Sequence, residues 1–347
     1  MKILIVTGSN GLIGSQSVKF FSNKFDKIIG IDNDYRSLFF GKSCSTKKLK
    51  NIMINEFPNY LHKSINIINY KSLEKIFSLY NSDIKMIIHT AAQPSHDWAA
   101  SDPILDYQVN STGTLNLLEL SRKYCPASCF IFTSTNKVYG DRVNNFKYIE
   151  LKYRYEPLDK ELKRGIAEDF SIDNSKHSLF GCSKLSSDLY VQEYGKYFGM
   201  KTGVFRGGCL TGPNHQGAEL HGFLSYLVKC NINKLTYTIC GYKGKQVRDN
   251  IHSSDLINMF FLYYQNPRKG EVYNCGGGRE NSCSILEAIK KIESKTKIKM
   301  KFRISSNNRI GDHKWYITNF QKFKKHYPNW ELKKSLNSTI EDIINQY

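Results

Sequence analysis

Residues 3–14 read Ile-Leu-Ile-Val-Thr-Gly-Ser-Asn-Gly-Leu-Ile-Gly, and this stretch decides the fold. The apolar run 3–6 is the pattern of a short buried strand. Thr7-Gly8-Ser9-Asn10-Gly11-Leu12-Ile13-Gly14 then turns and opens a helix expected over about 12–23. In this G-x-x-G-x-x-G form, Gly8 permits the tight turn and Gly11 lets the backbone approach a pyrophosphate. Gly14 lets helix and strand pack closely, and the helix N-terminus offers unpaired N–H groups to an anion. A second strand, 27–31, ends in Asp32, about twenty residues beyond the turn, which is the context in which such a turn reads as a dinucleotide site. Asp32 would accept hydrogen bonds from the adenosine ribose and repel a 2′-phosphate, which favours NAD over NADP.

Working outward, 65–68 and 86–88 are further apolar runs with a helical stretch around 73–80 between them. Residues 105–124 have helical spacing, 129–132 read as the next strand, 181–198 as a helix and 202–205 as a strand. This alternation predicts an α/β, doubly wound parallel sheet of the Rossmann type over residues 1–206. The remainder, 207–347, has short strands near 236–240 and 271–274 and a helix over 284–294. It is expected to form a smaller mixed α/β substrate domain, with part of the chain returning to the first. Two polar stretches, 33–63 and 141–177, read as long loops, a length usual for lids, binding loops or dimer contacts. Gly276-Gly277-Gly278 lacks a following Lys-Ser/Thr, so it reads as a tight turn and not as a triphosphate loop.

The 347 residues carry 50 Lys+Arg against 31 Asp+Glu, a net charge of +19. With 40% apolar residues the chain is too apolar to be largely disordered. Its mean hydropathy is −0.45, and no run of 18 uncharged apolar residues marks a membrane span. Nine cysteines without Cys-x-x-Cys pairs or zinc spacing fit reduced thiols and a cytoplasmic setting. His215, Glu219 and His221 lie near one another without rigid spacing, so no metal is expected. The basic residues are spread along the chain, with no basic helix, RNA-binding motif or zinc finger, so no nucleic-acid partner is expected. A positive field would still help draw in an anionic substrate.

Gly8–Gly14, His89-Thr90-Ala91-Ala92, Asn110, the run Thr133–Asp141, Lys184 and Arg248-Asp249 together resemble the extended short-chain dehydrogenase/reductases of the NAD-dependent epimerase/dehydratase family. Within these, STNKVYGD at 134–141, HSLFGCSK at 177–184, GKQVRDNIH at 244–252 and YNCGG at 273–277 are most similar to the CDP-paratose 2-epimerase (CDP-tyvelose epimerase) group. The resemblance covers nearly the whole chain. It implies a tightly held NAD that takes a hydride from a sugar carbon and returns it to the other face of a transient keto-sugar. The implied reaction is C2 epimerisation of a CDP-sugar in surface-polysaccharide biosynthesis.

The resemblance also implies site residues. Cofactor contacts are expected from Gly8, Asn10, Gly11, Leu12, Ile13 and Gly14, and from Asp32, Asn33, Asn66 and Ile67 at the adenosine end. Further along, they are expected from Ala91, Ala92, Gln93, Asn110, Thr133, Lys184 and Arg206. Asn66 would meet the adenine edge. The nucleotide sugar is expected in the cleft at the carboxyl ends of the strands, held by Gln93, Thr135, Asn136, His221, Arg248 and Arg309. The Arg248 guanidinium fork suits the diphosphate. A homodimer or homotetramer is expected through helices near 105–124 and 181–198.

One position departs from the pattern. The family's proton machinery is a Ser/Thr, a Tyr and a Lys four residues later. Here these map to Thr135, Phe180 and Lys184, and Phe180 has no ionisable hydroxyl. One reading gives the proton to another group: His96 first, since imidazole titrates near neutrality, then Asp97, Cys182, Lys137 or His221. A second reading is a different NAD-dependent oxidoreductase or dehydratase step on a nucleotide sugar. A third is an NAD-binding protein without turnover.

Overall fold

The run Ile3–Thr7, β-branched except at Leu4, forms strand β1, buried throughout, in the interior of a seven-stranded sheet. The computed structural model describes residues 1–215, 217–219, 222–305 and 311–347. The other strands are β2 (Lys27–Ile31), β3 (Tyr60–Lys63), β4 (Ile84–His89), β5 (Cys129–Thr135), β6 (Lys201–Gly207) and β7 (Glu271–Cys275). Their spatial order is β7-β6-β5-β4-β1-β2-β3, and from β5 across to β3 the pairings are parallel. Thr7 lies level with both Ile31 and His89, so the carboxyl ends of β1, β2 and β4 are flush. The chain reverses its direction of winding between β1 and β4, and ligands of such sheets bind outside that switch point.

Helices α1 (Leu12–Phe21), α2 (Lys47–Glu56), α3 (Tyr70–Tyr80), α4 (Gly113–Tyr124) and α5 (Ser178–Phe198) accompany the sheet. Ile3, Ile5, Ile29, Leu73, Phe77, Ile87, Leu117, Leu118 and Phe130 form part of one continuous core. Each such fully buried side chain contributes about 1.5–3 kcal/mol relative to an exposed one. The third strand is Tyr60–Lys63 and not 65–68, and the expected loop 33–63 contains helices Tyr35–Phe40 and α2. The strand β3 closes the sheet edge and exposes Leu61, so its Tyr-Leu-His-Lys sequence lacks the apolar run of an interior strand. Residues 65–68 lead to α3, whose N-terminus Asn69 caps by accepting from the Ser72 N–H.

The chain divides into two compact units, 1–135 with 179–206 and 257–273, and 136–178 with 207–256 and 274–347. Segment 136–178, expected above within the first domain, packs in the second unit. Tyr139 O–H donates to Asn274 Oδ1 at 2.8 Å, Lys137 Nζ donates to Gly311 O at 3.0 Å, and His313 Nε2 lies 2.8 Å from Gly140 O. In this unit Val247–His252 pairs with Cys209–Thr211, Ser282–Ser284 and Trp315–Tyr316. Helices Phe223–Ile232, Ile285–Thr296 and Leu336–Ile344 enclose its core, and Ser284 with Glu287 forms a capping box. The triple-glycine segment turns after β7, and the Gly278 N–H donates to Asp249 Oδ2 at 3.0 Å. Among the described residues no helix is long and apolar enough to cross a membrane.

Candidate cofactor and active site

The turn between β1 and α1 is sterically closed to side chains. Gly8 has φ +66°, and a Cβ there would lie 2.7 Å from Ala91 N. A Cβ on Gly14 would lie 2.1 Å from Gly8 O. Gly11 N–H donates back to Gly8 O at 3.0 Å, and α1 starts at Leu12 with no side chain capping it. The first-turn N–H groups, those of Leu12 and Ile13 included, are thus left to an anion. Ala91 N–H donates to Thr7 Oγ1 at 3.3 Å, with half-buried Ala92 next to it. His89 bridges Thr7 Oγ1 (2.7 Å) and Thr114 Oγ1 (2.9 Å). Burial, and then the nearby Lys184, holds this imidazole far below its ordinary value, so it is a neutral tie between β1, β4 and α4.

At the end of β2, both oxygens of Asp32 are gripped by backbone. Oδ2 accepts from Asn10 N at 3.1 Å and Oδ1 from Asp34 N at 2.8 Å. Burial raises the Asp32 carboxyl above its usual range, and those two N–H groups act against the rise. Asn33 Oδ1 accepts from Tyr35 N, and Asp34, at φ +58°, draws in Ser45 and Thr46. Asn66 donates to the Tyr35 hydroxyl at 2.8 Å and accepts from Ile68 N, so an adenine edge would share it with Tyr35. Ile67 is a core residue, packed where Gly113 leaves no Cβ.

The other end is a buried polar knot. Asn110 lies in a π-helical turn, Gln108–Thr112, of a type frequent at functional sites. Its Oδ1 accepts from Gln93 N (2.9 Å), and its Nδ2 donates to Asp106 Oδ1 (3.0 Å) and Ser183 Oγ (3.0 Å). Gln93 is fully buried, its Nε2 donating to Ser95 O and Asp106 Oδ1. Both residues therefore tie the segment after β4 to the turn 106–110, and Asn110 ties that turn to α5. Arg206, expected at the cofactor, forms a buried two-point pair with Asp188 at 3.0 and 2.9 Å, which Ser134 Oγ joins at 2.6 Å. A guanidinium so deeply buried requires such a partner.

Lys184 is buried, 4.0 Å from the Phe132 ring centroid, and its Nζ donates to Thr133 O at 2.9 Å. Burial is the largest influence on it and lowers its ammonium to about 7, with Asp188 and Asp106 opposing. Phe180, one helical turn earlier, packs edge-on against the His96 imidazole, ring centroids 5.1 Å apart. His96 opens the short helix His96–Ser101 and is half-buried. Thr135 ends β5, half-buried. The candidate base thus meets the ring that lacks a hydroxyl.

The second unit carries a separate charged cluster. Arg248 pairs with Asp312 at 2.6 Å and also donates to His313 O, and Lys137 reaches Asp312 Oδ1 at 3.3 Å. Burial would raise the Asp312 carboxyl, but Arg248 and Lys137 hold it far below the carboxylate range. Two cations on one carboxylate leave a net positive spot suited to phosphate oxygens. Asn136 is buried at the start of the 3-10 turn Asn136–Tyr139. His221 and Arg309 lie outside the described residues. Among the described residues no group of three or more His, Cys, Asp or Glu could hold a metal.

Sequence reasoning missed Asp106, Asp188 and Asp312, the acids that anchor Asn110, Arg206 and Arg248. Two had a signal: Asp106 is one helical turn before Asn110, and Asp188 one turn after Lys184. Tyr60, buried against Ser9 and Asn10, had none.

The family model for the NAD dependent epimerase/dehydratase family matches residues 4–276. The chain is 32% identical over 348 residues to the CDP-paratose 2-epimerase of Salmonella typhi, covering 98% of this chain and 97% of that one. Solved structures share the fold. The dTDP-glucose 4,6-dehydratase of Bacillus anthracis in complex with NAD has TM-score 0.77 at 23% identity, covering 100% of this chain and 96% of that one. The UDP-glucose 4-epimerase of Thermotoga maritima with UDP-glucose has TM-score 0.75 at 24% identity, covering 99% and 97%.

Proposed function

The chain belongs to the NAD dependent epimerase/dehydratase family, and on that premise we propose that it is a nucleotide-sugar epimerase working through a transient keto-sugar, with C2 of a CDP-sugar as the reacting centre and surface-polysaccharide biosynthesis as the setting. Its cofactor is NAD. The observation that carries the substrate class is the likeness to CDP-paratose 2-epimerase along 98% of the chain. The closed glycine turn, the uncapped helix and the twice-gripped Asp32 fit a dinucleotide without a 2′-phosphate.

When bound, NAD supplies a reversible hydride acceptor for the sugar carbon. The chain's own part is proton handling and orientation. An imidazole nitrogen of His96 takes the sugar hydroxyl proton and later returns it, a role a half-buried histidine suits. The Thr135 hydroxyl orients that sugar hydroxyl. Lys184, held on Thr133 O, supplies positive charge beside the cofactor ribose. Arg248, with Lys137 close to its carboxylate partner, holds the diphosphate. Leu189, Tyr190, Tyr197 and Phe198, exposed on α5, support a homodimer or homotetramer, and a cytoplasmic location completes the proposal.

Phe180 keeps one alternative in play, a different oxidoreductase or dehydratase step on a nucleotide sugar, which like epimerisation must pass the hydroxyl proton to a group other than a phenol. A panel of CDP-, UDP-, GDP- and dTDP-sugars, with acid-released nucleotide assayed from the purified protein, separates the two. The expected result is bound or bindable NAD and an inverted CDP-sugar. A net oxidised, reduced or dehydrated product would replace the epimerase assignment.

A further inference from the structure

Tyr60 stands on β3, two strands away from β1, yet its hydroxyl ends at the phosphate turn. It donates to Asn10 Oδ1 at 3.2 Å and lies 2.9 Å from Ser9 Oγ. Ser9, Asn10 and Tyr60 are all buried, so these are enclosed polar contacts and not surface ones. The route across β2 is made by a missing side chain. Tyr60 pairs with Ile28, and the next residue on that face of β2 is Gly30. A Cβ on Gly30 would lie 2.3 Å from the Tyr60 hydroxyl oxygen and ring. Only glycine lets the ring lie along β2 and reach the turn.

The contact continues to the cofactor's selectivity group. Asn10, whose side chain Tyr60 holds, uses its backbone N–H to fix Asp32 Oδ2 at 3.1 Å. The opposite oxygen is fixed separately by Asp34 N. A carboxylate pinned at both oxygens rejects a 2′-phosphate by fixed like charge, whereas one released at Oδ2 could swing aside.

Given the assignment of this crevice to NAD, we infer that Tyr60 is a positioning residue that sets selectivity for NAD over NADP, acting through Asn10 on Asp32. The Gly30–Tyr60 pair is the structural device that makes this reach possible. The test is calorimetric titration of full-length, nucleotide-stripped protein with NAD and NADP. Tyr60→Phe, which keeps the ring, is expected to weaken NAD binding and to lower the NADP-to-NAD dissociation-constant ratio by about fivefold, the worth of one ordinary hydrogen bond. Ser9→Ala, which removes the other end of the shortest contact and leaves Tyr60 intact, is expected to shift the ratio the same way. An unchanged ratio, including equal weakening toward both nucleotides as from general loosening, would overturn the inference. Failure of the unsubstituted protein to bind NAD would instead overturn the cofactor assignment.

Discussion

The glycine turn at 8–14 and the first turns of α5 at 179–184 belong to the same unit, and they ask different things of a sequence. The turn works by what it omits: two Cβ atoms that would lie 2.7 and 2.1 Å from backbone. Any chain with that backbone needs glycine there, so the motif speaks for itself. The helix start keeps its Lys184, yet Phe180 lacks the phenol oxygen that the family resemblance leads one to expect there. A shared fold therefore carries no guarantee of a shared reacting atom, and here the structure sets the His96 imidazole against the Phe180 ring.

A single added Cβ breaks the turn. Gly14→Ala should force Gly8 and α1 apart at a cost of about 1–3 kcal/mol, and weaken NAD binding by roughly 10- to 100-fold. Melting and titration check both. If NAD affinity survives, the turn is not the phosphate site.

His96→Ala sharpens the other side. It should lower kcat by about a hundred- to ten-thousand-fold while NAD affinity and melting temperature hold. Full activity in that variant would remove His96 from proton transfer.

Lys184 offers a pH test. Its folded value is lowered from 10.5 to about 7, so between those values the unfolded chain binds more protons at this site than the folded one. This lysine should therefore make stability rise with pH across that window, and its contribution should level off below about 7. Lys184→Met should flatten the slope measured by denaturant titration from pH 7 to 10. An unchanged slope would mean that the lysine stays charged.

The smallest effect is expected from Phe180→Tyr. If His96 already carries the proton, a restored phenol should change kcat by less than about tenfold, or about 1.4 kcal/mol. A much larger gain would show that the site still waits for a tyrosine.

Much of the sheet was legible because interior strands such as β1 and β4 are near-continuous apolar runs and because Gly8, Gly14 and Asp32 occupy positions with few substitutes. Edge strand β3 was not, since Tyr-Leu-His-Lys exposes its backbone edge and carries no apolar signal. The surroundings of the candidate site residues were less legible. Asn110 and Gln93 are held by Asp106 and Arg206 by Asp188, and pairings between distant segments leave no trace in local spacing. Segment 136–178 misled for the same reason: its ties to 274 and 311–313 are long-range.

Epimerisation by hydride return is tested most directly by following a CDP-sugar with the protein and NAD in D2O by NMR. The expected product is inverted at C2 and carries no solvent deuterium at that carbon. Deuterium at C2, or inversion at another centre with C2 untouched, would contradict it.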